Sequence, residues 1–541
     1  MTEAARTSRA ALGMGAIAAV SRAVGFVRVL VIAAVLGTTY LGNAFQAANS
    51  VSNVLFELLA AGALSAVLVP AFVALLDDGD QAGAEDVAGG VLGVAVVGLG
   101  VVSLAGVVGA PLLARALTAG VPEAVAHDQR ELVTFLLRFF VPQVILYAAG
   151  TIATAVLYAR RRFAITAAAP IGNTVVMVAC LLLFRSAAGR DPGLTLTSGE
   201  RWLLVVAGTG GVAAFVGTLL VACRASGFRL RPHLPRGDDR VRAVLRHSGW
   251  GVVLHTGAGV LLGGAIVAGS AVEGGVVAYQ VAWVFFLAPY GILAQPIHTA
   301  MLPELVAEAR ADDLDSFRAS VRWSLERMTL LVLPVSTLMA ALALPAMRAV
   351  SFGEVRADGP ALLAAALAAL AVGLLPYGAF LLLARAYYAL GDSRTPGLVS
   401  LAAAGAGVAV MAVGAATTHG TARVAMLGAG HSVAYALGAV GLLVGLGRRA
   451  GGSLWPAARL RLGGLAAAIG VFAWVVSRAV LDGETARATT VVVLAGVGTL
   501  SAAAVLLGHR LLRIESVLTA RATPRDAARE PHGDLTAEVP T

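Results

Sequence analysis

Two arginines, Arg22 and Arg28, interrupt the apolar run "AAVSRAVGFVRVLVIAAVLG" between Ala18 and Gly37. A guanidinium is always charged at physiological pH, and at a bilayer centre it costs about 2.5–3.5 kcal/mol on insertion scales, so it must face a polar cavity or a partner. Six positions apart, the two lie about 120° from each other around a helix. They can border one wide cavity but cannot stack in one row. Facing a cavity, they make an anion site, because each guanidinium fork matches two phosphate oxygens. The alternatives are snorkelling toward a headgroup layer and structural pairing with a buried acid.

The next apolar segment offers such an acid. In "NAFQAANSVSNVLFELLAAGALSAVLVP", Asn49, Asn53 and Glu57 recur at i, i+4 and i+8 and form one polar stripe on a helix. Counted at about 1.5 Å per residue from ends on the same side, Arg28 and Glu57 lie at similar depths, about 27 Å in. That predicts an Arg28–Glu57 pair. Asn43, at the other end of the segment, is expected to be a cap. Gln143 and Asn173 either line the cavity or satisfy backbone opened by Pro142 and Pro170. Arg138 and Arg385 fall near span ends and are expected at the interface. Gln295 and His298 share a helix face, while His255 and His431 are isolated and structural. No Walker loop, HExxH or His/Cys cluster occurs, so no catalytic group, cofactor or metal site is implied. Cys180 and Cys223 sit in apolar runs as small buried hydrophobes.

Positioning two intramembrane arginines requires a bundle of spans, and the composition supplies one. The 541 residues are 58% hydrophobic and only 13% charged, with a mean hydropathy of +0.83. Soluble domains carry about 25% charged residues, so this is an all-α polytopic membrane protein. With 63 glycines and 6% aromatics, its helices are expected to pack through small residues. About 14 apolar runs are long enough to cross, near 10–36, 44–76, 87–111, 132–157, 163–184, 202–222, 247–271, 275–302, 328–350, 360–387, 397–416, 424–446, 462–481 and 489–508. All the basic residues are arginine, and about 26 of the 40 fall on one side if both termini are cytoplasmic. The basic character thus reflects topology and not nucleic-acid binding.

Proline-bearing "FFVPQVILYAAGTIATAVLYARRRFAI" and "LLPYGAFLLLARAYYALGDSRTPGL" resemble each other, as do "LVPAF" and "MLPEL". The spacing suggests two six-helix copies, a common transporter plan. The expected organisation is an N-terminal lobe at 1–223, a basic cytoplasmic linker at 224–246, a second lobe at 247–447, two further helices over 448–510, and a disordered tail at 511–541.

The stretch "SRAVGFVRVLVIAAVLGTTYLGNAFQAANSVSNVLFELLAAGALSAVLVPAF", with the later "LYARRRFAITAAAPIGN", "APYGILAQPIHTAMLPEL" and "LLPYGAFLLLARAYYALGDSRTP", resembles the MurJ (MviN) lipid II flippases of the multidrug/oligosaccharidyl-lipid/polysaccharide exporter superfamily. The similarity covers about residues 8–450. It implies two six-helix lobes, a lipid-tail groove at the last two spans, and a cationic cavity for the headgroup. The cargo would be an undecaprenyl-diphosphate-linked saccharide of peptidoglycan synthesis, moved between leaflets of the bacterial inner membrane by alternating access. Membrane lipids and cell-wall synthesis proteins are the implied partners. The family's two first-span arginines match Arg22 and Arg28, with Asn49, Asn53 and Glu57 completing the expected substrate site. Departures are Val29 and Asn43 where acids are frequent, and Phe56 and a position near Val284 where some members carry arginine. A flippase for another lipid-linked glycan, a drug and cation antiporter of the same superfamily with Glu57 as its only candidate coupling acid, and a non-transporting scaffold of the cell-wall machinery are the alternatives.

Overall fold

The computed structural model describes residues 3–63, 68–234, 249–454, 459–481 and 486–511, and among these the regular structure is helical. The N-terminal half comprises α1 (Glu3–Leu36), α2 (Tyr40–Ala63), α3 (Val69–Asp77), α4 (Gln81–Val108), α5 (Ala110–Leu117), α6 (Glu123–Phe140), α7 (Gln143–Ala159), α8 (Phe163–Ala188), α9 (Ser198–Val205) and α10 (Gly211–Ala225). The second half comprises α11 (Gly249–Ser270), α12 (Gly275–Pro289), α13 (Gln295–Arg310), α14 (Leu314–Ala341), α15 (Ala343–Val350), α16 (Gly359–Val372), α17 (Leu374–Ala389), α18 (Arg394–Thr417) and α19 (Gly420–Ala450). Two last helices follow, α20 (Arg459–Val480) and α21 (Arg487–Leu511). Single π-helical turns, Val206–Gly210 and Tyr290–Ala294, join α9 to α10 and α12 to α13.

Local chemistry sets the helix starts. Asp80 accepts a hydrogen bond from the Gly83 N–H, Asp313 accepts one from Ser316, and Thr197 with Glu200 forms a capping box. Each satisfies a first-turn donor that has no helical partner.

Eleven helices among the described residues are long and apolar enough to cross a membrane, or twelve when the pair α16 and α17, bent by 46°, is taken as one span. The chain is therefore a multi-pass membrane protein; α1 and α2 are not in that set of twelve. Three predicted segments change. The span at 44–76 is two helices, α2 and α3, with residues 64–67 outside the described set. The span at 328–350 starts at Leu314, because the amphipathic turns "LDSFRASVRWSLER" bury Phe317, Val321 and Leu325 at i, i+4 and i+8 while Asp315, Arg318, Arg322 and Glu326 keep the other faces charged. An apolar-run criterion misses such turns. Likewise the span at 132–157 begins at Glu123 and breaks at Val141–Pro142. The tail beyond Leu511 and most of the predicted linker, residues 235–246, lie outside the described residues.

Outward faces are apolar where lipid must lie, as at Val101, Leu104 and Val108 of α4. Inside, each half has its own core. Phe45, Phe140 and Phe184 anchor one cluster of the first half, and Phe72, Leu157 and Phe228 another. A single cluster from Leu254 to Leu454 fills the second half, and from the first half it takes Val29 and Ala33 of α1, with Leu30 packed against it. The apolar burial that crosses between the halves comes from α1, α11 and α12, with Ile266 and Val276 joining the Phe45 cluster, so α1, α2, α11 and α12 are the elements that position anything lying there.

Candidate functional site

Successive residues of a helix turn by about 100°, and α2 uses that rotation to serve both halves. Toward the first half, Ser52 donates to the Phe140 carbonyl at 2.5 Å, and Phe56 packs on Tyr147 with ring centroids 4.5 Å apart. Toward the second half, Ser50 accepts from the Gln280 amide at 2.7 Å, and Glu57 opens onto a cavity.

The halves are clasped at the end where α1 turns into α2, called here the far end. Asn43 is fully buried; its Nδ2 donates to the Val272 carbonyl at 2.8 Å, and its Oδ1 accepts from the Val276 and Val277 N–H groups at 3.0 and 3.4 Å. The expected cap is real, but it caps α12, which is 229 or more residues away in sequence. Thr39 caps α2 itself, accepting from the Gly42 N–H. The loop after α15 completes the clasp. The Glu354 N–H donates to the Ala34 carbonyl at 2.8 Å, its carboxylate pairs with Arg185, and the Arg356 N–H donates to the Thr38 hydroxyl at 3.0 Å. Two glycines permit this approach. Gly37 (φ 70°) and Gly274 (φ 73°) both occupy the left-handed region, and a Cβ would stand 2.4 Å from the Glu354 carbonyl oxygen at the first and 2.5 Å from Thr38 at the second.

Below the clasp, the five predicted site residues separate. Arg22 reaches across to the second half, donating to the Gly291 carbonyl at 3.4 Å and to Gln295 Oε1 at 3.1 Å. Gly291 belongs to the π-helical turn, so the Arg22 bridge sits on the one irregular stretch of that span. Arg28 faces the first half, on the Tyr147 side, and its buried Nε has no hydrogen-bond partner. A buried guanidinium nitrogen without an acceptor is costly, and an anion satisfies it directly. Asn49 is half-buried and Asn53 exposed.

Glu57 does not pair with Arg28. It lines a cavity of about 410 Å³ whose walls, apart from its neighbour Phe56, come from the second half, among them His255 and Leu261 of α11, Trp283 of α12, Tyr377 and Phe380 of α17, Ser400 of α18 and Tyr435 of α19. Depth along two neighbouring helices placed Arg28 and Glu57 together, but their azimuths differ, and Glu57 turns to the aromatic wall while Arg28 turns to α7. The aromatic wall was not foreseen. Its signal was present in "YQVAWVFFLAPY", where Tyr279, Trp283, Phe286 and Tyr290 recur on one helical face.

The remaining candidates are mostly structural. Gln143 donates to the Thr209 hydroxyl at 2.8 Å, and that hydroxyl donates to the Phe139 carbonyl beside the Pro142 break. His431 lies within 3.0 Å of the Tyr279 hydroxyl, and His298 within 3.3 Å of the Tyr290 hydroxyl. Arg138 is exposed, and Phe56 and Val284 are packed among apolar side chains. Asp392 starts α18, accepting from the Thr395 N–H and hydroxyl and pairing with Arg449 at 2.6 Å.

Comparison with known proteins agrees with this architecture. The family model described as "Lipid II flippase MurJ" matches residues 32–492, a range that starts after Arg22 and Arg28. The chain is 26% identical over 381 residues to the "Probable lipid II flippase MurJ" of Rhizobium tropici, covering 70% of this chain and 69% of that one. It is 25% identical over 413 residues to the protein of the same description from Vibrio cholerae, covering 73% and 75%. Among solved structures, "Lipid II flippase MurJ, inward closed conformation" superposes with a TM-score of 0.71 at 15% identity, over 92% of this chain and 99% of that one. An inward-facing multidrug transporter of the MATE family superposes with a TM-score of 0.62 at 13% identity, over 82% and 98%. The family match extends across both halves and into α21, and so the chain belongs to the MurJ family of lipid II flippases.

Proposed function

We infer that this chain is a lipid II flippase, carrying the lipid-linked peptidoglycan precursor across the membrane by alternating access. The family match over residues 32–492 carries this reading. In finer detail, the two halves are rigid lobes that rock about the clasped far end, both termini face the cytoplasm, and the membrane is the bacterial inner membrane. The far end is closed here, so the cargo enters from the other side.

The headgroup diphosphate binds Arg28, whose buried Nε has no acceptor, and Arg22, which exchanges Gly291 and Gln295 for phosphate oxygens. Asn49 and Asn53 shape the interior around it, and Glu57 lines the neighbouring cavity. Releasing Arg22 from the π-helical turn frees the two halves to move against each other below the clasp, and a cargo that binds one arrangement better shifts the equilibrium by that difference. The resemblance puts the tail groove at the last two spans; the apolar groove of about 320 Å³ that suits a polyprenyl tail here lies instead among α14, α17 and α19, lined by Leu325, Leu375 and Leu443.

The test is leaflet-resolved labelling of lipid II in cells that depend on this chain. Arg28→Ala, verified as folded and inserted, is expected to leave lipid II in the inner leaflet. Translocation at the normal rate by that variant overturns the role of Arg28. Failure of the unaltered chain to move lipid II overturns the flippase reading itself.

A further inference from the structure

The cavity at Glu57 has a chemistry that the diphosphate does not use. Its one carboxylate, Glu57, faces a continuous aromatic wall: Trp283 and Tyr377 have centroids 6.3 Å apart at 67°, and Tyr377 and Tyr435 4.7 Å apart at 59°. No arginine lines the cavity, and among the described residues none forms an ion pair with Glu57. An anion is therefore repelled there. A hard metal cation is poorly served as well, since calcium needs about six to eight oxygen ligands and magnesium about six. The cavity offers one carboxylate, phenol groups, the single imidazole of His255, and a Ser400 hydroxyl already donating to the Leu254 carbonyl at 2.9 Å, too few oxygen ligands for either ion. Aromatic faces attract weakly hydrated organic cations, and a carboxylate supplies the balancing charge. A volume of about 410 Å³ admits a small ammonium-bearing group.

We propose that Glu57, Trp283, Tyr377 and Tyr435 form a binding site for an organic ammonium group. The proposal goes beyond the flippase reading and does not rest on it. The ammonium is either borne by the lipid-linked cargo or carried on a free organic cation, and the shared chemistry is the same. On a cargo that bears one, the site makes recognition bipolar, with anion contacts at Arg28 on one side of α2 and a cation contact at Glu57 on the other.

The test uses the full chain in lipid nanodiscs and titrates choline against its uncharged isostere, 3,3-dimethylbutan-1-ol. The native chain is expected to prefer choline at least tenfold. Glu57→Gln removes the preference, Glu57→Asp keeps it in part, and Trp283→Leu weakens choline binding, each with melting temperature as the folding control. Equal binding of choline and the isostere by the native chain, or an undiminished preference in Glu57→Gln, overturns the proposal. Lipid II carrying a free amine is then compared with the same lipid acetylated at that amine. Weaker binding of the acetylated form to the native chain, and no difference with Glu57→Gln, assigns the ammonium to the cargo. Equal binding of the two lipids alongside retained choline preference assigns the site to a free cation. Lipid II labelling is scored separately, so failure here leaves the flippase reading standing.

Discussion

Replacing Asn43 by alanine is expected to open the far end of the protein. The side chain is fully buried and makes three hydrogen bonds, one at 2.8 Å to Val272 in the turn before α12 and two from the first turn of α12, the shorter at 3.0 Å. Val276 and Val277 are themselves fully buried, so their N–H groups gain no water when the partner is removed. At about 1–1.5 kcal/mol for each of the two better bonds, the clasp loses about 2–3 kcal/mol. Those bonds exist only while the halves are joined there, so the equilibrium between far-end-closed and far-end-open states shifts by roughly 30- to 150-fold. A cysteine at Asn49, in a chain with Cys180 and Cys223 changed to alanine, reports the change through its reaction with a membrane-impermeant maleimide added at the far side. Labelling rises with Asn43→Ala. Unchanged labelling in a folded Asn43→Ala protein refutes the assignment of the clasp.

Gly274→Ala forces an L-residue to φ 73° and brings its Cβ within 2.5 Å of Thr38, so it should raise the same maleimide labelling and lower the melting temperature. The double reversal Arg28→Glu with Glu57→Arg should not rescue the loss seen with either single reversal, because the two side chains face opposite halves; recovery of lipid II translocation would show that they meet. Burial alone would raise the Asp392 carboxyl, but its bonds to the Thr395 N–H, the Thr395 hydroxyl and Arg449 outweigh that and hold it below the usual carboxylate value. Its contribution is therefore present above the unfolded pKa of about 3.9 and is lost as pH falls through the lower folded value. Asp392→Asn should lower the melting temperature of the solubilised protein at pH 7, and the difference from the unaltered chain should shrink as the pH falls toward 3.

The sequence by itself determined the membrane class, nearly all of the crossing segments, and the presence of charges that need a polar interior. These are properties of composition and of apolar runs, and they follow from the bilayer's dielectric and thickness whatever the neighbours are. It also carried the family's pattern. Amphipathic turns such as those from Leu314 were missed because their polar face dilutes the apolar signal, and the break between α2 and α3 has no single residue that announces it. The tertiary structure decided which way each polar group points. Asn43 caps a helix from the other half, Arg22 reaches a π-helical turn, and Glu57 faces an aromatic wall instead of Arg28. Residue spacing fixes height along a helix and relative azimuth within it, but the rotation of one helix against its neighbours is set by packing across more than two hundred residues of sequence.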